Sequence, residues 1–239
     1  MNTVKIDSKN TLMIAHRGVS GIETENTLAA FIAAGNRSHY GIETDVHRTS
    51  DGKFVVIHDD VTDRVSPAKL SVEGSDYETL RSVPLNAPDG DGRRADMRIP
   101  SLKEYIDTCR RYEKTAVLEL KNEFCAEDIK RICDEINAEN YLDNVIFISF
   151  CFDNLVRIRS LYPEQPVQFL TDDYTDNLPA LLSEHKMDLD IRYTELDAEK
   201  IDILHRCGIK VNCWTCDSPE EAERLAGWGI DFITSNILE

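Results

Sequence analysis

A regular alternation along the chain limits most strongly what it can fold into. Short period-2 or all-apolar runs, several of them β-branched and nearly continuously apolar, recur at Thr11–His16, Gly41–Val46, Thr115–Leu120, Asn144–Ser149, Val167–Thr171, Met187–Ile191, Ile209–Thr215 and Asp231–Thr234. Runs that are apolar at consecutive positions are strands covered on both faces. Between most of them lie helical patterns with legible ends. Asn26–Ala34 is alanine-rich and stops at Gly35, Ser101-Leu-Lys-Glu104 is a capping box after Pro100, and Ala126–Asn137 is amphipathic. Ser218-Pro-Glu-Glu221 has a cap serine, a first-turn proline and an acid three residues after the cap. Eight strands with intervening helices in 239 residues predict an α/β protein, a (β/α)8 TIM barrel with residues 1–239 as one domain; a doubly wound open sheet is the alternative.

Two stretches break the alternation. Residues 53–58, KFVVIH, are an extra strand-like run with no helix before it. Residues 61–98 are a polar, irregular insertion expected to sit over one end of the barrel as a small cap or to run as a loop. Between the second strand and the extra run, Ser50-Asp51-Gly52-Lys53 carries the Asp-Gly signal of a β-hairpin. With Asp51 and Gly52 as the turn residues, Ser50 faces Lys53, Arg48 faces Val55 and Asp45 faces His58. Alternation places Glu43, Asp45 and His47 on that face too. A solvated edge hairpin would hold acids and histidines harmlessly. What favours a site is that IAHRG (14–18) delivers His16 and Arg17 to the end of one strand, and AVLELK (116–121) delivers Glu119 and Lys121 to the end of another. Barrel strand ends converge on one face, and so many ionisable groups are costly to explain as core.

The formal net charge of −17 argues against broad binding to nucleic acid or an anionic membrane surface. It leaves a phosphate substrate open, because a few local cations and a metal reverse the potential inside one pocket. No apolar run reaches the length of about 18 residues that spans a bilayer, so stable membrane association is not expected. The N-terminus lacks a secretion pattern and the seven cysteines are an odd number; reduced thiols in a cytoplasmic enzyme are the expectation. Cys213 and Cys216 have redox spacing but lie in a strand-like run, where packing is the plainer reading. His47 is expected to play an outer role rather than to bind metal, and His39, His185 and His205 to be surface residues. Phe152 and Tyr174 either line the pocket or pack. DGDGRR, residues 89–94, lacks the complete ligand pattern of a calcium loop and is read as a turn.

The ordered motifs AHRG, TENT, GIETDVHRTSDGKFVVIHDD, IPSL, LELK, ISF and CWT, from about residue 12 to about residue 236, resemble the glycerophosphodiester phosphodiesterase family of phospholipase-C-like barrels. The resemblance implies a distorted (β/α)8 barrel, one divalent cation, and hydrolysis of small glycerophosphodiesters to glycerol 3-phosphate and an alcohol. It implies that Glu43, Asp45 and Glu119 hold the metal, that His16 and His58 are the acid–base pair, that Arg17 and Lys121 contact phosphate, and that Trp214 lies near the substrate. Three carboxylates suit Mg²⁺ or Ca²⁺ better than zinc. His16 is assigned as base and His58 as acid, with water or a neighbouring glycerol hydroxyl as nucleophile. Three departures stand out: Thr24 where the family usually has proline, no glutamine before the serine of ISF, and TSN in place of the usual Thr-Asp. A lysophospholipase-D-like enzyme and a non-catalytic phosphate-binding barrel are the other readings.

Overall fold

All eight expected runs are strands. The structure, a computed structural model, describes residues 2–88, 94 and 96–239. Its strands are β1 (Leu12–Ala15), β2 (Gly41–Arg48), β3 (Phe54–Val56), β4 (Thr115–Leu120), β5 (Val145–Ser149), β6 (Val167–Thr171), β7 (Asp188–Arg192), β8 (Val211–Trp214) and β9 (Phe232–Ser235). Its α-helices are α1 (Leu28–Gly35), α2 (Tyr77–Ser82), α3 (Leu102–Arg111), α4 (Ala126–Ala138), α5 (Phe152–Leu161), α6 (Leu178–His185), α7 (Ala198–Arg206) and α8 (Pro219–Gly227). β1, β2 and β4 to β9 pair in parallel around a ring that closes where β1 meets both β2 and β9, and a helix joins each consecutive pair of ring strands. β3 lies outside the ring, antiparallel to β2.

The apolar strands are covered on both sides, as their composition requires. Outward residues such as Ile42, Leu118, Phe147, Leu189 and Ile233 pack in one large core with Phe31 of α1, Tyr105 of α3 and Ile132 of α4. Inward residues Ile14, Val117, Ile146, Ile148, Leu170 and Phe232 fill the barrel. The capping box of α3 is formed, and Ser218 caps α8. Helix α1 starts two residues later than its pattern suggested: Thr27 is the cap, accepting from Ala30 N, while Asn26 takes a left-handed backbone, φ 53°, and sends its side chain elsewhere.

The hairpin register differs by one residue from the two-residue turn expected. Val46 pairs with Val56, His47 with Val55 and Arg48 with Phe54, so Asp45 lies beside Ile57, not His58. The loop is three residues long, Thr49 facing Lys53, with Gly52 left-handed at φ 77°; this is the turn type in which a glycine adds the extra residue. The Thr49 hydroxyl favours it by bonding both Asp51 and the backbone of Lys53. His58 therefore reaches the site from the bend after β3.

Within 61–98, a 3₁₀ turn at Thr62–Arg64 and helix α2 are tied by bridges Val61–Ser71 and Pro84–Arg98. Val65, Val72, Leu80, Leu85, Met97 and Ile99 form their own apolar cluster with Val55 and Ile57 of the returning hairpin arm. Their irregular spacing hides this in the sequence. The turn expected at 89–94 falls, except for Arg94, outside the described residues. His39 is buried, not a surface residue, with Nε2 3.0 Å from the Leu238 carbonyl. Phe152 packs edge-on against Phe169 and His185. Cys213 and Cys216 are buried in the core, where desolvation raises both thiols, Cys216 to about 11, and keeps them unreactive. Among the described residues no helix is long and apolar enough to cross a membrane.

Gly18 fixes the loop after β1. It is left-handed, φ 74°, and an added Cβ would lie 2.6 Å from the backbone carbon of Ala30 and 2.7 Å from its Cβ. Strain and clash together make Gly18→Ala destabilising by at least ~2 kcal/mol. Urea unfolding checks this; an unchanged midpoint would refute it.

Candidate active site

Strand register builds the acidic centre. In the parallel pair β2–β4, Asp45 is the partner of Glu119 and Glu43 of Val117. Alternation turns Glu43, Asp45 and Glu119 to the inside, where one oxygen from each lies within 4.8 Å of the others, all buried. The loop after β1 closes over them. Arg17 is left-handed, φ 52°, which lets its amide donate to Glu43 Oε2 at 2.8 Å. Asn26 donates to Asp45 Oδ2 at 2.7 Å and takes a bond from the Thr44 hydroxyl at 2.6 Å.

Three buried anions this close repel one another, and the proton equilibria record it. Desolvation, then the charges of Asp45 and Glu119, push Glu43 well above the ordinary carboxylate range. Desolvation and Asp45 raise Glu119 to about 7. Burial opposes ionisation of Asp45 as well, but Lys121 and Arg17 outweigh it and hold Asp45 below its usual range. Lys121 Nζ is 2.8 Å from Glu119 Oε1 and 3.5 Å from Asp45 Oδ1, and Arg17 Nε is 3.6 Å from Asp45 Oδ2. The angles nevertheless leave Glu119 Oε1 and Asp45 Oδ1 without a hydrogen bond among the described residues. Two orphaned carboxylate oxygens in an all-oxygen donor set are what one hard divalent cation would satisfy.

The two histidines differ in their supports. His16 Nδ1 is 2.7 Å from Asn236 Oδ1. Asn236 is held in turn by the Ser20 hydroxyl at 2.6 Å and by Asp217, which accepts from its side-chain and backbone N–H at 2.6 and 2.8 Å. Burial, then Arg17, lowers His16 to about 4. His58 Nδ1 is 2.6 Å from a carboxylate, Asp59 Oδ1. Desolvation lowers His58 too, against the charge of Asp45. Arg64, from the insertion, bonds Asp59 at 2.6 Å and grips Glu25 with two nitrogens at 2.6 and 2.8 Å, and Glu25 also holds Arg17 at 2.9 Å. His47 is buried behind the triad; it bonds the His58 carbonyl at 3.2 Å and Glu73 at 3.3 Å. It shares the strand face of the acids without joining their cluster.

His16, Arg17, Glu43, His58, Glu119, Lys121 and Trp214 all line one cavity of about 70 Å³, together with Ile148, Phe150, Leu170, Asp190 and Thr234. Phe152 and Tyr174 do not line it. The sequence reading missed Asn26, Asn236, Asp59, Arg64 and Asp190. Asp59 follows His58 directly and the TSN departure pointed to Asn236, whereas a lone arginine in a polar insertion gives no signal. Asp190 was visible as the second of two acids, Asp188 and Asp190, alternating with apolar residues in one strand run.

Residues 16–238 match the glycerophosphoryl diester phosphodiesterase family. The chain belongs to that family. YhdW of Bacillus subtilis (strain 168) is 30% identical over 94% of this phosphodiesterase and 93% of its own length. The glycerophosphodiester phosphodiesterase of Caldanaerobacter subterraneus subsp. tengcongensis is 28% identical, covering 95% and 94%. Among solved structures, an Oleispira antarctica phosphodiesterase in complex with the product sn-glycerol-3-phosphate superposes with a TM-score of 0.83 at 24% identity, over 98% of this chain and 96% of that one.

Burial of His16 has a consequence for stability that can be measured without activity. An unfolded histidine titrates near 6.5 and this one near 4, so between those values the unfolded chain binds more protons. The contribution is complete above pH 6.5 and is lost as pH falls toward about 4. In protein freed of divalent cations, His16→Asn is expected to lose less unfolding free energy than the parent between about pH 7 and about pH 4.5. Parallel losses in urea titrations would refute this.

Proposed function

We propose that this enzyme hydrolyses small glycerophosphodiesters to glycerol 3-phosphate and an alcohol, using one Mg²⁺ or Ca²⁺ held by Glu43, Asp45 and Glu119. The observation that carries the reading is one small cavity lined by two imidazoles, a guanidinium, an ammonium and buried carboxylates. The product bound in the Oleispira relative supports a substrate carrying that moiety. A cation at the triad supplies polarisation of a phosphoryl oxygen and neutralises developing charge.

The chain's own groups divide the rest. Arg17 Nε has no hydrogen-bond partner among the described residues, and Lys121 stands across the acids from it; both serve as phosphate contacts. His16 donates its Nδ1–H to the amide oxygen of Asn236, which leaves Nε2 with a free lone pair toward the cavity. A neutral amide orients the ring without stabilising its charge, and burial keeps it neutral at physiological pH, so His16 is the base. His58 has a carboxylate at Nδ1, which opposes the desolvation that lowers the ring and supports the imidazolium from which the Nε2 proton passes to the leaving alkoxide. The proton removed at His16 comes from water or from the neighbouring glycerol hydroxyl. A lysolipid substrate would need an apolar mouth larger than Phe150 and Trp214 offer, yet the apolar side chains of 61–98 do not extend it, being turned onto the hairpin.

The test is release of glycerol 3-phosphate from glycerophosphocholine or glycerophosphoethanolamine with Mg²⁺ or Ca²⁺. Chelation should abolish it reversibly, and His16→Ala and His58→Ala should each lower kcat on the order of 10²–10⁴-fold. Activity that survives both chelation and His16→Ala would overturn the reading. Arg64→Met removes the clamp on Asp59 and Glu25 without touching the substrate, and is expected to lower kcat about tenfold with a smaller change in KM; an unaltered kcat would show the clamp to be idle.

A further inference from the structure

One buried acid in the cavity has no part in the chemistry above. Asp190 stands on β7, in register with Leu170 of β6 and Asn212 of β8. It is 1% exposed, it lines the same cavity as His16 and Glu119, and its Oδ1 has no hydrogen-bond partner among the described residues. Its polar neighbours are satisfied without it. Asn212 donates to Gln168 at 3.1 Å and accepts from the Thr234 hydroxyl at 3.2 Å. One strand further on, Trp214 lines the cavity too, its ring held edge-on by Phe150 with centroids 5.8 Å apart. Its Nε1 is likewise buried and unpartnered among the described residues.

An unpaired acceptor and an unpaired donor, buried on adjacent strands of one cavity, are costly unless a ligand pairs them. The chemistry of that ligand is constrained. Ile148 and Leu170 line the same part of the cavity, which suits a carbon frame. A second charge there would be expensive to bury. What fits is a short carbon chain bearing hydroxyl groups, each able both to donate and to accept.

We propose that Asp190, with Trp214 as its donor counterpart, is the specificity-determining residue for the glycerol hydroxyls: the Asp190 carboxyl accepts a glycerol O–H while the Trp214 Nε1–H donates to a hydroxyl oxygen. The inference rests on the substrate class proposed above. A carboxyl oxygen accepts in either protonation state, so the role does not depend on ionisation of Asp190. The cavity is thereby selective for a polyol phosphate over an alkyl phosphate of the same length.

The experiment compares calorimetric affinities of the magnesium-loaded protein for sn-glycerol 3-phosphate and n-propyl phosphate, which lacks both hydroxyls. The parent should prefer glycerol 3-phosphate by about 10- to 100-fold. Asp190→Leu and Trp214→Phe should each bring that preference close to parity while leaving n-propyl phosphate affinity unchanged; Asp190→Asn, which keeps an acceptor, should retain most of it. A preference undiminished in Asp190→Leu overturns the inference, as does equal weakening of both ligands. If Asp190→Leu does not fold, Trp214→Phe decides between the same two outcomes. Glycerophosphocholine hydrolysis by the parent is followed in parallel. Its absence counts against the substrate class, whereas hydrolysis with an undiminished preference in the variants counts against this inference alone.

Discussion

The parallel register between β2 and β4 is the constraint on which the site depends. It sets Asp45 directly beside Glu119, and alternation adds Glu43 on the same inner face. A slip of one residue would turn the acids of the shifted strand outward into the core against the helices, Glu43 and Asp45 if β2 moved or Glu119 if β4 did. The apolar neighbours prevent the slip, because Ile42, Leu118 and Leu120 must face the helices at the same time. The same hydrophobic pattern that makes the barrel therefore confines three like charges within one hollow.

That confinement explains the crowding of cations and donors on the loop after β1. Arg17 contributes its amide to Glu43 and its side chain to Glu25, and it does so only because its backbone is left-handed and Gly18 follows it against Ala30. Asn26 gives up a helical backbone to reach Asp45. Local strain of this kind, about 1–3 kcal/mol per residue, persists where the surroundings over-determine it. Here they do so through groups that also face the cavity.

How much of this was legible follows from what each feature depends on. The ring strands were readable because burial on both faces leaves most of them nearly continuously apolar, and because β2 and β7 keep an alternation. The three clustered carboxylates and the two cavity histidines could be picked out because they fall in or just after strand runs, those of β2 and His58 on the two arms of a turn signal. The hairpin register was misread because Asp-Gly serves both two- and three-residue loops, and the Thr49 hydroxyl, not the pair itself, selects the longer one. Asn236 and Arg64 were missed for another reason. Asn236 lies 220 residues from His16 in sequence and Arg64 lies 39 from Glu25, and no local pattern encodes such partners. His39 looked like a surface residue because nothing nearby reveals the carbonyl of Leu238 that satisfies it.

The two histidines are mounted differently. His16 follows a strand inside the closed ring, whereas His58 hangs from an arm, β3, that is antiparallel to β2 and lies outside the ring. The arm is braced by the small apolar cluster of Val55 and Ile57 with residues of the insertion, and by the Arg64 ion pairs. Its support is thinner than that of the barrel. Warming this protein should therefore dismantle the cavity in a fixed order: the His58 imidazole swings free first, and the anionic cradle endures until the ring itself opens.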